Sequence, residues 1–212
     1  MSEPDSYSER RASFLEAFKE KRLVEESVRI DLSPSARYAL ETSGYTNGAD
    51  TWNFSRGVVT EIVSGRILAD IRRNYGHFWH AWVFRGEREE YLLCGEDYQG
   101  YNVIDLATAG NFVEFPEPGY QGDGFCWVAA HPSPDGKILA VEGCYWACPY
   151  ELVFFDFSNP SMLPLPELSR ADFYEVAEGW AGDGEFRYTV EDPACEGDPR
   201  PPILPAVWKR PA

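Results

Sequence analysis

The chain has 212 residues, enough for one domain or for one domain with a short extension. Hydrophobic residues make up 44% and aromatic residues 15% of it, which excludes a disordered chain and favours strands over helices. Residues 1–85 carry equal numbers of acidic and basic side chains, so the whole net charge of −16 comes from residues 86–212. A surface of this charge disfavours nucleic acid as a partner.

The sequence lacks the signals of membrane insertion and export. No run of about 18 apolar residues occurs, so we expect no membrane span. The amino-terminal residues are charged and polar, without the apolar core of an export signal. An odd number of cysteines, five, is then typical of reduced thiols, so we expect a cytoplasmic protein.

An amphipathic helix is predicted near the amino terminus, within an extension that covers residues 1–28. Ser6 and Glu9 have the spacing of a capping box, and Phe14, Leu15 and Phe18 form an apolar stripe. The helix is predicted to end between residues 22 and 27. Because a helix this short is marginal alone, we expect it to dock on the rest of the chain. The positions expected to face water are Arg10, Arg11, Glu16, Glu20 and Lys21.

After Val28 the pattern changes to short aromatic or β-branched runs bounded by Gly, Pro, Asn and Asp, which predict strands. None of these runs is long enough for a comfortable helix. The predicted strands are residues 58–63, 66–71, 81–84, 90–94, 101–106, 112–115, 125–130, 138–142 and 152–157. Residues 203–208 are a further candidate for a last strand.

An internal repeat organises these strands. Residues 133–143 read as a turn followed by a strand, and residues 33–42 match them in outline a hundred positions earlier. Weaker copies are residues 85–95 and residues 181–190. The spacing of about 50 residues is close to that of one four-stranded propeller blade. Pro-Asp and Asp-Gly steps supply the dihedral angles that close such hairpins.

The stretch Ser-Pro-Asp-Gly-Lys-Ile-Leu-Ala-Val at residues 133–141 resembles the hairpin signature of WD40-like and TolB-like β-propeller repeats. The resemblance extends over about residues 29–192, although no Trp-Asp dipeptide ends any unit. It implies an all-β fold of antiparallel propeller-like blades, three plus a partial fourth, after the amino-terminal helix. The arrangements left open are a small four-bladed ring, an incomplete propeller and an open set of sheets. Within a β domain of residues 29–212, the expected units are about 29–75, 80–116, 125–168 and 173–208.

Such propellers are mostly binding platforms, and loops at equivalent places in the blades would converge on one face. These loops are rich in Tyr and Trp with a few charges, which is typical of recognition surfaces. The alternative is that the aromatic side chains pack within and between blades. The expected binding residues are Arg72, Arg73, Tyr75, His77, Asp97, Tyr98, Tyr101, Asp123, Tyr145 and Trp146, with Tyr45, Asn47 and Trp52 in the corresponding loop of the first unit.

Signatures of catalysis and of cofactor binding are absent from the sequence. It contains neither a Gly-x-Ser-x-Gly motif nor a phosphate-binding glycine loop. His77 and His80 could share a metal, but no further His or Cys pair follows at ligand spacing. Cys144 and Cys148 lie one residue too far apart for a redox Cys-x-x-Cys motif and are more typical of partly buried thiols. We therefore expect no resident metal or cofactor.

Three functions follow from these patterns. The first is a non-catalytic binding or scaffold module that recognises a protein or a small ligand through the aromatic loop face. The second is a hydrolase, metal-assisted or acid–base, with a site in the same loops that uses His77, Asp97 or Asp123. The third is a subunit that forms homo-oligomers, since exposed edge strands of an incomplete propeller would seek partners.

Overall fold

The chain divides into two compact units, residues 1–124 and residues 125–212. A computed structural model describes residues 7–86, 88–115, 124–145, 148–172, 174–195 and 199–211. The described part of the first unit has one helix and two four-stranded antiparallel sheets. Its elements are α1 (Tyr7–Lys19), β1 (Arg22–Leu32), β2 (Tyr38–Thr46), β3 (Phe54–Glu61), β4 (Ile67–Arg73), β5 (Ala81–Phe84), β6 (Glu90–Cys94), β7 (Tyr101–Asp105) and β8 (Gly110–Glu114).

The second unit contains a four-stranded and a three-stranded antiparallel sheet. Its strands are β9 (Phe125–Pro132), β10 (Ile138–Tyr145), β11 (Glu151–Asp156), β12 (Glu167–Ala171), β13 (Tyr174–Trp180), β14 (Glu185–Glu191) and β15 (Ile203–Lys209), with a single 3₁₀ turn at Pro193–Cys195.

In all four sheets, strands that follow one another in sequence are neighbours in space. We number the sheets in chain order: β1–β4, β5–β8, β9–β12 and β13–β15. These repeated antiparallel sheets confirm the predicted all-β, propeller-like fold with an amino-terminal helix. Among the described residues, no helix combines the length and the apolar character needed to cross a membrane.

The sequence repeat corresponds to a repeated hairpin between the first and second strand of each sheet. In the third sheet, the Ser133 hydroxyl accepts the N–H groups of Lys137 (3.1 Å) and Ile138 (3.0 Å). In the first sheet, the Ser33 hydroxyl accepts the N–H of Tyr38 (3.3 Å) in the same way. The hairpins of the second and fourth sheets share a different closure, in which the N–H of Arg85 or Ala181 donates to a carbonyl four residues later.

Each unit has its own apolar core, formed by side chains that alternate along the strands and face the neighbouring sheet. The core of the first unit comprises Tyr38, Leu40, Val59, Ile71, Phe78, Leu92, Cys94, Ile104 and Leu106. The core of the second unit comprises Ile138, Ala140, Leu152, Phe154, Ala171, Tyr174 and Phe186. A smaller cluster joins Phe14 and Phe18 of α1 to Phe54 of β3, so the helix docks on the sheets of its own unit, as expected.

The predicted end of the helix was wrong. Helix α1 ends at Lys19, and residues 22–32 form strand β1, which pairs with β2 from Arg22↔Thr46 to Leu32↔Ala39. The two glutamates at positions 25 and 26 favour a helix in isolation, but cross-strand hydrogen bonds and pairing with β2 override this local preference. The pairing is interrupted between Val24 and Arg29 by a register shift, which breaks the alternation of a regular strand.

The two Ser-Pro hairpins differ at one position that has a positive φ angle. Gly136 has φ of 65°, whereas the equivalent Ala36 has φ of 56°, a conformation that is strained for a side chain with a Cβ. We predict that Ala36→Gly raises the free energy of unfolding by about 0.5–1 kcal/mol and that Gly136→Ala lowers it by a similar amount. Urea unfolding of both variants measures this, and changes of the same sign would contradict the shared geometry.

The carboxylate of Asp135 accepts hydrogen bonds from the hydroxyl of Ser133 (2.6 Å) and the guanidinium of Arg210 (2.8 Å). Burial raises the pKa of Asp135, but these bonds and the Lys137 N–H together lower it from 3.8 to about 2. Because the folded pKa lies below the unfolded one, the stabilisation is present above pH ~4 and is lost as the pH falls through ~2.

We therefore predict that Asp135→Asn lowers the free energy of unfolding by about 1 kcal/mol at pH 7. The difference from wild type should narrow as the pH falls from ~4 to ~2. Denaturant titrations across this pH range measure it, and Asp183→Asn in the fourth-sheet hairpin, where the carboxylate is exposed, is the control. A difference that stays constant down to pH ~2 would contradict the assignment.

Candidate functional site

The predicted binding residues fall into separate places. Arg72 and Arg73 end β4, Tyr75 and His77 lie in the β4–β5 connection, and Asp97 and Tyr98 lie in the β6–β7 connection of the first unit. The placement in loops was wrong for Tyr45, Arg72, Arg73, Tyr101 and Tyr145, which all belong to strands. Tyr101 is also buried, and Tyr145 belongs to the second unit, where its hydroxyl accepts a hydrogen bond from Arg170. Asp123 and Trp146 lie outside the described residues.

Arg73 connects the end of the first sheet to the β6–β7 connection of the second. Its side chain is only 3% exposed, and its guanidinium donates to three backbone carbonyls. These belong to Gly95 (2.9 Å), Asp97 and His77 (2.9 Å). A buried cation is tolerated only when such acceptors satisfy it, so Arg73 holds both connections in position.

Two arginines of α1 bind the β6–β7 connection. Arg10 donates through Nε to the carboxylate of Asp97 (2.8 Å) and through Nη2 to the hydroxyl of Tyr98. Arg11 forms a bidentate pair with Glu96, with 3.1 Å between Nη2 and Oε1. Asp97 is 0% and Glu96 5% exposed, so both carboxylates are nearly desolvated. The arginines compensate this burial, and Oδ1 of Asp97 also accepts the N–H of Tyr98 (2.9 Å).

Aromatic contacts fix the two ends of α1. At its amino-terminal end Tyr7 stacks on Phe115, with 3.6 Å between the ring centroids. Near its carboxyl-terminal end Phe18 packs against Tyr45 and Phe54, at centroid distances of 4.7 and 5.6 Å. We call the surface that receives α1 the helix seat; it consists of Tyr45, Phe54, Glu96, Asp97, Tyr98 and Phe115.

An open groove begins beside the helix seat. One lobe, of about 340 Å³, is lined by Trp52, Tyr75, His77 and their neighbours. A second lobe, of about 520 Å³, extends along the ends of β1 and β2 and shares Asn53 and Gly76 with the first. We call the two lobes together the aromatic groove; Tyr45 and Phe54 of the helix seat also line its second lobe.

Two of the residues considered for catalysis or for a metal have other partners. Asp97 pairs with Arg10 (2.8 Å) and His80 hydrogen-bonds Asp31 (2.9 Å). Among the residues that the structure describes, no three His, Cys, Asp or Glu side chains are placed to hold a metal ion. Cys144 and Cys148, like the other three cysteines, are thiols rather than disulfides. This arrangement gives no support to the metal-assisted or acid–base hydrolase.

A larger cleft, of about 700 Å³, lies in the second unit between β11, β12 and β13. Its lining includes the carboxylates of Glu151, Asp172, Glu175 and Glu191. Arg170 in its wall is held by Glu151, by Glu167 and by the hydroxyl of Tyr145. The cleft therefore repels anionic ligands, and its cation is already neutralised.

The comparisons with known proteins name no activity. No protein-family model matches the sequence. The chain is 35% identical over 165 residues to "Uncharacterized protein R762" of Acanthamoeba polyphaga mimivirus, an alignment that covers 74% of this chain. The chain thus spans about 64% of that relative's length. A solved structure, the β-propeller domain of Myceliophteria thermophila Cps50 (Swd1), shares 12% identity, covers 99% of this chain and 57% of that chain, and superposes with a TM-score of 0.45.

Sequence reasoning missed part of the helix seat. It expected Arg10 and Arg11 to face water. The side chain of Arg11 is 44% and that of Arg10 26% exposed, but both guanidinium groups also bind buried carboxylates. Glu96 and Phe115 were not considered. The two adjacent arginines between Tyr7 and Phe14 were the available signal for these contacts. They place cations close to the apolar stripe of α1, so an acidic partner on the docking surface would lie opposite them.

Removing the Arg73 guanidinium should destabilise the first unit. We predict that Arg73→Met lowers the free energy of unfolding by roughly 3 kcal/mol, because three carbonyls lose a charged donor in a buried place. Arg73→Lys should recover part of the loss, since an ammonium reaches fewer acceptors than the planar guanidinium. Chemical denaturation measures both. Arg72→Met is the matched control, because Arg72 lies over the ring of Phe18 at 5.8 Å on the helix side; equal effects at the two positions would contradict the special role of Arg73.

Proposed function

We propose that this protein is a non-catalytic interaction module whose helix seat binds an amphipathic, arginine-bearing helix. Propeller-like folds are generally scaffolds for protein interactions, and their connecting segments carry the recognition residues. The observation that carries the proposal is α1 itself. The β6–β7 residues that the sequence marked for binding, Asp97 and Tyr98, hold a helix through two hydrogen bonds from one arginine.

The charge of the helix seat defines its ligand. Asp97 and Glu96 are almost fully buried, and an uncompensated buried carboxylate is strongly unfavourable. Whatever occupies the seat must therefore bring two cations to the same two places. A helix does this when two basic residues are adjacent and aromatic residues lie about one turn away on either side, as Tyr7 and Phe14 do around Arg10 and Arg11.

Arginine fits the seat better than lysine. Arg11 presents two parallel N–H groups to the two oxygens of Glu96, which is a bidentate geometry that an ammonium cannot reproduce. Arg10 uses its Nε for Asp97 and its Nη2 for Tyr98, and its guanidinium lies 5.0 Å from the centre of the Tyr98 ring. The planar cation thus meets a carboxylate, a hydroxyl and a ring face at once.

Helix α1 has low intrinsic stability, so a partner helix can displace it from the helix seat. It has 13 residues, and a helix of this length is marginal in water without tertiary contacts. Its seat is made by strands and connections that are stabilised independently, through the core of the first unit and through Arg73. In cis, α1 occupies the seat at high effective concentration, so a partner helix competes with it.

A labelled peptide of residues 1–21 tests the proposal in trans. In the full-length chain carrying Arg10→Ala, Arg11→Ala and Phe18→Ala, α1 should leave the seat. We predict that the peptide binds this variant at least about tenfold more tightly than the wild-type chain, where α1 competes. Fluorescence anisotropy gives the affinities, and circular dichroism checks that the β fold of the variant is retained.

Two matched controls test whether the helix seat prefers arginine to lysine. A peptide with Arg10→Lys and Arg11→Lys keeps the charge but loses the bidentate geometry, and it should bind about tenfold more weakly. Adding Glu96→Gln and Asp97→Asn to the protein should abolish the preference for arginine. If the folded triple variant binds the peptide no better than wild type does, the seat is only an internal packing surface and the proposal fails.

A further inference from the structure

Strand β15 is an edge strand of the fourth sheet, and only one of its two sides is paired. Among the described residues this sheet has three strands, in the order β13–β14–β15, whereas each of the other sheets has four. β15 pairs with β14 over its whole length, from Glu185↔Lys209 to Glu191↔Ile203, without a register shift. A long and regular edge of this kind invites pairing with another strand.

The backbone groups on the open side of β15 follow from its hydrogen bonds to β14. Just beyond the two ends of the strand, the carbonyl of Pro202 accepts the N–H of Asp192 (2.8 Å), and the N–H of Arg210 donates to the carbonyl of Gly184 (2.9 Å). Alternate residues of a strand direct their N–H and C=O groups to the same side. The even-numbered residues of β15 therefore bond to β14, and the odd-numbered residues face the open side.

The side chains of β15 leave apolar surface exposed along this edge. The odd-numbered Ile203 and Val207 are 52% and 46% exposed, and Pro205 between them is exposed as well. The even-numbered side chains face the core of the second unit, where Trp208 packs, but Leu204 is still 40% exposed. Apolar side chains beside unpaired backbone groups are typical of an interaction surface.

The order of residues in β15 fits a second copy of the same strand. In an antiparallel pair with a two-fold axis at Ala206, Val207 lies opposite Pro205 of the other copy and Ile203 lies opposite Lys209 of the other copy. All seven residues of the strand are paired in this register. Each N–H on the open side then meets a carbonyl, because Pro205 is the residue that has no N–H to offer.

The sizes of the facing side chains agree with this register. The even-numbered residues form the pairs without hydrogen bonds, in which the Cα atoms approach to about 4.5 Å. A small side chain is therefore favoured at the axis, where Ala206 meets its own copy. Leu204, exposed in the single chain, comes opposite Trp208 of the other copy, so both copies bury apolar surface there.

The charges along the edge also favour a two-fold pair. At one end the carboxylate of Glu191 lies beside that of Glu175, and neither forms an ion pair within the described part of the chain. At the other end are the exposed Arg187 and Lys209, of which Lys209 pairs with Glu185 at 3.2 Å. A two-fold axis sets the arginine and lysine of one copy against the glutamates of the other, so the strand is complementary to itself.

We propose that two copies of this chain associate through β15, in an antiparallel pair centred on Ala206 that joins their two fourth sheets into one continuous sheet. The association does not depend on the function proposed for the helix seat, which lies in the first unit. One strand pair buries less area than a standard interface, so the dimer is weak, with a dissociation constant on the order of 10 µM.

Sedimentation velocity of the full-length chain at about 2–200 µM tests the association, and we expect the wild type to change from monomer to dimer over this range. Val207→Pro removes an N–H on the open side and no hydrogen bond to β14. Val207→Glu places two carboxylates near the axis, while Arg187 opposite it in its own chain can pair with the new charge. Each variant should raise the dissociation constant at least about tenfold. Val176→Glu, at an equally exposed valine of β13, should leave it unchanged.

Disulfide trapping tests the register. In Ala206→Cys, the two new thiols face each other across the axis, and glutathione disulfide should link them into a covalent dimer. We expect this dimer to exceed the wild-type background, which the native cysteines set, at least about fivefold on a non-reducing gel. Leu204→Cys is the matched control, because its thiol lies opposite residue 208 and should stay at the background.

The unfolding midpoint of each variant is measured alongside, and Val207→Glu keeps the test decisive if Val207→Pro does not fold. A wild-type chain that remains monomeric at about 200 µM overturns the proposal. A dimer that neither folded Val207 variant weakens overturns the location. A covalent dimer from Leu204→Cys but not from Ala206→Cys overturns the register.

Discussion

One buried cation organises the first unit. The guanidinium of Arg73, at the end of β4, binds backbone carbonyls on both sides of the gap between the first and second sheets. Because the Arg73 side chain is only 3% exposed, water cannot replace the carbonyls as hydrogen-bond acceptors. The three carbonyls are therefore fixed in position. The β6–β7 connection that carries Glu96, Asp97 and Tyr98 is thereby held in one conformation, and everything that binds to it depends on that conformation.

The β6–β7 connection also carries two buried carboxylates, which face α1. Glu96 and Asp97 lack solvent and need cations, and α1 supplies them from Arg10 and Arg11. The interaction converts a short and intrinsically weak helix into an ordered element. Next to it, the aromatic groove has almost no charge. Two neighbouring surfaces of one unit thus differ in the chemistry that they can recognise.

The repeated hairpins show how a local motif tolerates divergence. The Ser33 and Ser133 turns keep the same hydroxyl-to-backbone hydrogen bonds, although one has alanine and the other glycine at the residue with positive φ. The hairpins of the second and fourth sheets use another closure for the same connection. Sheet pairing and core packing therefore preserve the strand arrangement after the turn sequence has changed, because each hairpin contributes only a part of the stability of its sheet.

The sequence by itself determined the class of fold and the place of most strands, since alternating apolar residues and turn signals at intervals of about 50 residues are local properties. It also marked Asp97 and Tyr98 as candidate binding residues, and it identified Phe14 and Phe18 as part of the docking face of α1. Only the tertiary structure decided that β1 begins at Arg22, that Arg73 is buried among carbonyls, and that Arg10 and Arg11 bind buried carboxylates. These features depend on partners about 20 to 90 residues away in sequence. Folding of several strands brings such side chains together, and no local sequence pattern encodes the distance between them.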